Sequence, residues 1–415
     1  MCSLNKNIDF SRFVSLGDSL TAGYEDGALF YEGQIHAYPN LIAEQLHSKF
    51  QQPLMNRNSV GIGFFGNSRL VLKNEMNHSY SKLSYLSPQG DSEAFEKNNY
   101  LLEGPFNNLG VPGAKAITLI ATGYGDKNKG EGNYNPFFLR MASNAVTTSI
   151  LLDAMKIDPT FFSLFIGNND VMAYALLGGT LGAITPIEGQ LGIGFEESMN
   201  FIINTLTSNG AKGIISNLPS INSIPHFNTI NYNDLLLDID EAKTLNTLYK
   251  QEGIKFNIGH NAFLIEDSLG TNDIRQIEKG ELILLEILLD QNKNYYLKGL
   301  KPIPKKYYLS KQQVEQTQKA LNSYNTIIKN IANKFKLALV DANYLLKTMK
   351  TDRSYNASSM SLKYKTRGVF SLDGLHINKL GQALLANEFI KAINHTYGTH
   401  IHKINITKFR AKTNH

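Results

Sequence analysis

The chain has 415 residues and a mass of 46.3 kDa, and 42% of its residues are hydrophobic while 19% are charged. This composition excludes general disorder, and 22 Phe and 20 Tyr residues supply enough apolar surface for a large core. A single cysteine, Cys2, excludes an internal disulfide bond and a cysteine-based metal cluster. The net charge of +5 is spread along the chain, which argues against a nucleic-acid partner.

Four short apolar runs predict buried strands, because each is followed at once by glycine or polar residues. They lie at residues 13–16, 160–166, 213–216 and 337–340. Apolar residues at helical spacing predict helices at 38–50, 195–207, 310–335 and 379–394. The alternation predicts a three-layer α/β/α sandwich of flavodoxin-like type, with a mostly parallel sheet of about five strands. In such sheets ligands bind beyond the carboxyl ends of the strands.

The chain is predicted to form one large domain over residues 13–397. Two stretches rich in Asn, Gly, Tyr and Lys, near 51–106 and 226–309, break the strand and helix rhythm and are interpreted as insertions. Residues 1–12 form a separate N-terminal segment. Residues 398–415 form a basic tail, for which a solvated end is favoured over contact with anionic lipid.

Ser19 is the leading candidate for a nucleophile, because it follows the first strand at a turn that exposes its hydroxyl. A serine hydroxyl needs a base, and His376 is the best one in the sequence. Asp373, three residues earlier, can bond one nitrogen of the imidazole and fix its tautomer. Taken singly, each of these features also fits an ordinary turn or the start of a helix.

Four motifs occur together in one order along the chain. They are Gly17-Asp18-Ser19-Leu20, Asn108 to Gly113, Gly167-Asn168-Asn169-Asp170, and Asp373-Gly374-Leu375-His376. In this joint occurrence the chain resembles the SGNH hydrolases, also called the GDSL family of esterases and lipases. The resemblance implies that Ser19 is the nucleophile, that His376 is the general base and then acid, and that Asp373 orients it. It also implies an oxyanion hole made by the backbone amides of Ser19 and Gly113 and the side-chain amide of Asn169.

The resulting expectation is a serine ester hydrolase that works through an acyl-enzyme without a cofactor or metal. Lipid or lysophospholipid esters are favoured slightly over acetylated carbohydrate. A protein of another class stays open, namely one that holds a glycan or lipid on the same fold without turnover. The complete set of nucleophile, base and anion donors argues against that alternative.

The sequence around Ser19 and Gly113 resembles a longer bacterial subgroup whose members are often lipoproteins. In that subgroup a lipid-modified cysteine lies shortly before the first strand, which is where Cys2 stands. One hypothesis is therefore an envelope lipoprotein written without its signal peptide and tethered to the membrane through Cys2. The alternative is a cytoplasmic protein with an incidental cysteine.

One loop matches the sequence pattern of a dinucleotide-binding motif. Residues 61–66 fit the pattern Gly-x-Gly-x-x-Gly, but no strand precedes them and no helix follows, so a dinucleotide site is rejected. A flexible loop near the acyl site is the favoured interpretation. Aromatic residues that could line an acyl pocket are Phe30, Tyr31, Phe64 and Phe65, although aromatic residues in loops more often serve packing.

Overall fold

The computed structural model describes residues 8–64, 66–74, 81–87, 90–91, 101–349, 353–356, 361–364 and 368–409. Cys2 and residues 410–415 of the basic tail lie outside this set, and so does Phe65. The lipid modification of Cys2 therefore stays a prediction, as does the division of the chain into segments.

A five-stranded parallel sheet forms the centre of the molecule. Its strands are β1 (Phe13–Gly17), β2 (Asn108–Gly110), β3 (Phe161–Phe165), β4 (Lys212–Ser216) and β5 (Ala338–Val340). They pair in the order β2-β1-β3-β4-β5, and all pairings are parallel. The predicted fold class is thereby confirmed, including its flavodoxin-like strand order. After β2 has been added on one side of β1, the remaining strands are added on its other side. Sheets with this strand order bind ligands in the crevice between the carboxyl ends of β1 and β3.

Helices cover both faces of the sheet. The main helices are α1 (Tyr38–Leu46), α2 (Asn168–Ala175), α3 (Phe195–Thr207), α4 (Lys311–Phe335) and α5 (Lys379–Tyr397). Helices α1 and α5 contact each other in one layer, whereas α4 contacts α2 and α3 in the other. The start of α4 follows from its sequence, because the Ser310 side chain accepts a hydrogen bond from the Gln313 N–H and Gln313 bonds back to Ser310.

The glutamine Gln382 joins the N-terminal and C-terminal parts of the chain. Its side chain accepts a hydrogen bond from the backbone N–H of Tyr38 at 3.0 Å and donates one to the carbonyl of Leu20 at 3.1 Å. All three residues are buried. Helix α5 is thus fixed to α1 and to the segment that immediately follows β1.

Two hydrophobic clusters make up the interior. The larger one surrounds the sheet and includes every residue of β1 and β3 that is apolar. The smaller one lies wholly within residues 230–308 and contains Phe263, Leu264 and Tyr308. In the same segment the guanidinium of Arg275 bonds the carboxylates of Asp267 and Glu281, each at 2.7 Å. The second predicted insertion therefore contains a core and a buried ion network of its own.

Short elements complete the described chain. The second insertion holds a helix, Ile239–Leu248, and three antiparallel pairs, which are Leu235–Leu237 with Gly259–Asn261, Leu264–Thr271 with Ile274–Gln276, and Leu282–Ile283 with Tyr308–Leu309. Two further pairs are Leu70–Asn74 with Ser81–Tyr85 and Arg353–Asn356 with Ser361–Tyr364. Short helices lie at Ser19–Ala22, Tyr31–Ile35, Ala116–Leu119, Pro136–Leu139, Ile150–Met155, Pro225–Asn228, Lys293–Leu297 and Ala342–Thr348. Across the described helices, none has both the length and the apolar composition needed to cross a bilayer.

Candidate active site

Ser19 lies directly beyond the carboxyl end of β1, at the first position of the short helix Ser19–Ala22. The carboxylate of Asp18 caps this helix by accepting a hydrogen bond from the N–H of Leu20 at 3.0 Å. Gly17 permits the tight turn, because a β-carbon there would collide with Thr21 and with the carbonyl of Phe165. The sequence thus places the Ser19 hydroxyl at the crevice of the sheet, with 7% of the residue exposed.

His376 lies between Ser19 and Asp373. Its Nε2 atom is 2.9 Å from Oγ of Ser19, and its Nδ1 atom is 2.8 Å from Oδ2 of Asp373. The second contact assigns the proton of the neutral ring to Nδ1, which leaves the Nε2 lone pair facing the serine hydroxyl. The structure therefore brings the three residues together in the order that activates a serine.

The carboxylate of Asp373 is held by five hydrogen bonds. Oδ1 accepts bonds from Ser371 Oγ, from the N–H of Leu375 and from the N–H of His376, while Oδ2 accepts bonds from the N–H of Gly27 and from the His376 ring. Burial alone would raise the pKa of Asp373, but the charge of His376 and these hydrogen bonds outweigh burial and hold the pKa well below its usual value. The carboxylate thus stays ionised beside the imidazole.

Gly113 lies on the loop that follows β2, and its backbone conformation requires glycine. Its φ angle is +80°, and a β-carbon would lie 2.8 Å from the ring of Phe64. Asn135 donates a hydrogen bond to the carbonyl of Pro112 at 2.8 Å, and the hydroxyl of Tyr124 donates one to the carbonyl of Gly113 at 3.3 Å. These bonds fix the peptide planes around Gly113. Within the described residues, no protein atom accepts a hydrogen bond from the N–H of Gly113.

Asn169 lies at the carboxyl end of β3, next to the Gly113 loop. Its side-chain amide donates one hydrogen bond to the carbonyl of Ala114 at 3.0 Å. An amide nitrogen carries two protons, so a second donor stays available at this partly exposed residue. The neighbouring Asn168 is buried and donates instead to Asp18 at 2.8 Å. The two adjacent asparagines therefore differ in use, because Asn168 bonds within the core whereas Asn169 keeps a donor on a partly exposed side chain.

Hydrogen bonds join the strand ends into one unit. The N–H of Val111 donates to the carbonyl of Gly17 at 3.0 Å, and the N–H of Ala116 donates to Oδ2 of Asp170 at 2.9 Å. Together with the Asn168–Asp18 and Asn169–Ala114 bonds, these contacts connect the loops that carry Ser19, Gly113 and Asn169. Burial raises the pKa of Asp170 to about 6, although the bond from Ala116 lowers it. Burial likewise raises the pKa of Asp18 to about 6.

An aromatic cluster borders the ring of His376. The ring of Tyr24 lies 4.7 Å from the imidazole of His376, and the rings of Phe64 and Phe137 lie 5.4 Å and 6.2 Å from Tyr24. Tyr24 and Phe137 are buried, whereas 47% of Phe64 is exposed. Phe64 thus presents an apolar face beside Gly113. The predicted acyl-pocket residues Phe30 and Tyr31 have other surroundings, since Phe30 is buried under the guanidinium of Arg69 and Tyr31 packs with Arg57.

The polar residues that follow strands β4 and β5 lie away from Ser19. Asn217, after β4, donates a hydrogen bond to Asp341, after β5, at 2.8 Å, and it accepts one from the N–H of Asn343. These bonds connect two loops at the far edge of the sheet. The expectation that polar residues follow each strand is correct, but only those after β1, β2 and β3 reach the crevice with Ser19.

Sequence reasoning missed two neighbours of the loop that carries Asp373 and His376, namely Tyr24 and the turn at Asp26 and Gly27. His226, which could line the site from its position after β4 but has no predicted role, donates its N–H to the carbonyl of Gly374 at 3.0 Å. The Asp26-Gly27 dipeptide was a local signal for a tight turn, but nothing local indicated its contact. Among the described residues, no group of three or more His, Cys, Asp or Glu side chains could hold a metal ion.

Comparison with known proteins identifies the family. The sequence model of the GDSL-like lipase/acylhydrolase family matches residues 13–389. The chain belongs to this family. Membership of the GDSL-like family makes the protein a serine ester hydrolase by class, in agreement with the resemblance seen in its four motifs.

Other similarities to the GDSL-like protein are distant. Among solved structures, an acetyl xylan esterase, AlAXEase, is similar to this chain at 14% sequence identity and a TM-score of 0.33, over 92% of this chain and 98% of that one. Curated proteins give no match.

Proposed function

We propose that the protein hydrolyses carboxylic esters through an acyl-enzyme formed on Ser19. The observation that carries the proposal is the position of the His376 ring, which bonds Ser19 on one side and Asp373 on the other at 2.9 Å and 2.8 Å. A binding protein would not need a buried base aligned in this way between a hydroxyl and a carboxylate.

In the first half-reaction the Oγ atom of Ser19 attacks the ester carbonyl carbon, and the hydroxyl proton moves to Nε2 of His376. The carbonyl oxygen becomes an oxyanion that accepts hydrogen bonds from the N–H groups of Ser19 and Gly113 and from the Asn169 amide. When the bond to the alcohol oxygen breaks, His376 returns its proton to that oxygen and the alcohol leaves.

In the second half-reaction water replaces the alcohol. His376 takes a proton from water as the water oxygen attacks the acyl carbon, and the same three donors hold the second oxyanion. Collapse of this intermediate returns the proton to Oγ of Ser19 and releases the carboxylic acid. Asp373 keeps its negative charge throughout and stabilises the charged imidazole in both steps.

The finer substrate class is proposed on the surroundings of the site. The exposed ring of Phe64 offers an apolar surface for the acyl part of the substrate, and this favours acyl esters of lipids or lysophospholipids slightly over acetylated carbohydrate. A single panel of esters tests this ranking of substrate classes. It spans acetyl to palmitoyl chromogenic esters, acetylated sugars and lysophospholipids.

The same panel tests the function itself when run beside Ser19→Ala. We expect hydrolysis by the unaltered protein and loss of both hydrolysis and labelling by a serine-directed phosphonate in Ser19→Ala. Absence of Ser19-dependent turnover over the whole panel would instead favour a protein that binds a lipid or glycan without cleaving it.

A further inference from the structure

A tight turn follows the nucleophile segment at residues 25–28. The N–H of Glu25 donates to the carbonyl of Ala28 at 3.1 Å, and the N–H of Ala28 donates to the carbonyl of Glu25 at 3.0 Å. Its two central residues, Asp26 and Gly27, both have positive φ angles, of 52° and 74°. This is the geometry of a type I′ turn, for which Asp-Gly is among the preferred pairs.

The tip of this turn faces the loop that carries the acid and base. The N–H of Asp26 donates to Ser371 Oγ at 2.9 Å, and the N–H of Gly27 donates to Oδ2 of Asp373 at 2.9 Å. In the opposite direction, the N–H of Leu372 donates to the Oδ1 atom of Asp26 at 2.6 Å. Three hydrogen bonds thus join two segments that are about 346 positions apart.

The same bonds reach the catalytic base through Asp373. Its Oδ2 atom accepts from both the N–H of Gly27 and the Nδ1 atom of His376, and its Oδ1 atom accepts from Ser371 Oγ, which itself accepts from Asp26. As long as these hydrogen bonds are kept, the Oδ2 atom of Asp373 faces the imidazole of His376. Hydrogen bonds to a charged group are stronger than those between neutral groups, so together they restrict the carboxylate.

The turn is also tied to its own surroundings. Tyr24 lies next to the turn on its N-terminal side, and its ring contacts the imidazole of His376 in a tilted arrangement, with the ring centroids 4.7 Å apart. The hydroxyl of Tyr24 donates to the carbonyl of Gly27. The carbonyl of Asp26 accepts a hydrogen bond from the N–H of Leu70 at 2.7 Å. The turn is therefore braced from two sides.

We propose that Asp26 is a positioning residue, whose carboxylate holds the loop at Leu372 so that Asp373 stays aligned with His376. The Asp26 carboxylate acts through the backbone N–H of Leu372, whereas the bond to Ser371 comes from the backbone N–H of Asp26. The catalytic consequence rests on the ester hydrolysis proposed above, whereas the alignment of Asp373 and His376 does not.

The test compares two substitutions at Asp26. Asp26→Ala removes the acceptor for the Leu372 N–H, and we expect kcat to fall about 10-fold to 100-fold with KM changed less than about twofold. Asp26→Asn keeps an oxygen acceptor and should recover most of kcat. An unchanged kcat in Asp26→Ala, or an Asp26→Asn variant as impaired as the alanine variant, overturns the proposal.

Asp234 provides the matched control. It is also partly exposed and accepts a backbone hydrogen bond in a loop, from Asn231 at 2.8 Å, but it lies in the second insertion. Asp234→Ala should leave kcat unchanged within about twofold. A fall in kcat as large as that of Asp26→Ala would mean that any lost loop contact slows the reaction, which contradicts a specific role for Asp26.

A spectroscopic measurement separates this proposal from the proposed function. The proton on Nδ1 of His376, shared with Asp373, should give a low-field proton NMR signal in the unaltered protein and in Asp26→Asn. In Asp26→Ala this signal should move to higher field or broaden beyond detection, and an unchanged signal contradicts the proposal. The result can be read even if no ester is turned over.

If Asp26→Ala fails to fold, Asp26→Gly tests the same contact. Glycine also lacks the carboxylate that accepts from the N–H of Leu372, and it adopts a φ angle of 52° without strain. We expect the same direction of change in kcat and in the NMR signal. An unaltered signal and kcat would overturn the proposal.

Discussion

The Nε2 atom of His376 lies 2.9 Å from Oγ of Ser19, although the two residues are separated by 357 positions in the chain. Both are buried, so little water competes for this contact. The contact depends on the strand order, because Ser19 follows β1 and the loop of His376 precedes α5, which is fixed to the same segment by Gln382.

Removal of either partner should abolish turnover. We expect Ser19→Ala and His376→Ala each to lower kcat by about three orders of magnitude or more, and the double variant to be hardly worse than either single one, since the two side chains act as a unit. Steady-state hydrolysis of a chromogenic ester measures this. Multiplicative losses in the double variant would indicate that the two residues act independently.

Asn169→Ala should lower kcat about 100-fold or more with a small change in KM, because it removes one donor to an oxyanion that exists only after attack. Asn168→Ala is the adjacent control. It removes the bond to Asp18 and should act mainly on the free energy of unfolding, measured by urea denaturation. Equal effects of both substitutions on kcat would contradict the separate uses of the two asparagines.

Gly113→Ala should inactivate the enzyme for two separable reasons. The new methyl group would lie 2.8 Å from the ring of Phe64, and a φ angle of +80° costs about 1 kcal/mol for alanine. Adding Phe64→Ala removes the collision but not the backbone strain, so the double variant should regain part of the lost kcat/KM. A double-mutant cycle measures the coupling between the two positions. Strictly additive effects of the two substitutions would show that Phe64 does not collide with a side chain at position 113.

Phe64→Ala alone should change the preference for acyl-chain length, because the ring is the exposed member of the aromatic cluster beside Gly113. Ratios of kcat/KM for acetyl, butyryl and octanoyl esters measure the change. Phe201→Ala, which alters a comparably exposed ring on helix α3, is the control and should leave the ratios unaltered. Identical ratios in all three proteins would exclude Phe64 from the acyl site.

The buried acid Asp170 gives a prediction for pH and stability. The unfolded chain releases this proton near pH 3.8 and the folded chain near pH 6, so the folded state binds more protons in between. The contribution of Asp170 to the free energy of unfolding therefore falls as the pH rises through this range. The stability of Asp170→Asn relative to the unaltered protein should rise by about 3 kcal/mol from about pH 4 to about pH 6 and stay constant above that.

Urea denaturation of both proteins at several pH values checks the prediction for Asp170. Asparagine keeps an oxygen that can accept from the Ala116 N–H, so the site can retain its connection. A difference in stability that is independent of pH would show that the carboxyl of Asp170 has the same pKa in both states.

Much of the sheet was predictable because its strands are buried on both faces and appear as continuous apolar runs. Strand β2 was not, because three residues with a single apolar side chain, Leu109, have no periodicity. Its place beside β1 is instead fixed by tertiary contacts, among them the bond from the Asn108 side chain to the carbonyl of Thr21 at 3.0 Å.

The candidate site was predictable where its residues stand in motifs, and not where the supporting contacts come from distant segments. Ser19, Asp373 and His376 stand in recognisable motifs, and the structure brings them together. The bond from Asp26 to Ser371 joins positions 345 apart, and the ring contact between Tyr24 and His376 is equally remote in sequence. Local patterns do not encode such pairings, since they arise only when the sheet has assembled.

The attachment of α5 through Gln382 has a consequence during translation. At 5–20 residues per second, a ribosome needs about 20–70 s to proceed from codon 19 to codon 376, and throughout that interval Ser19 lacks the imidazole of His376. With the roles proposed for these two residues, ester cleavage begins only once helix α5 has docked, and a polypeptide that ends before His376 does not cleave esters.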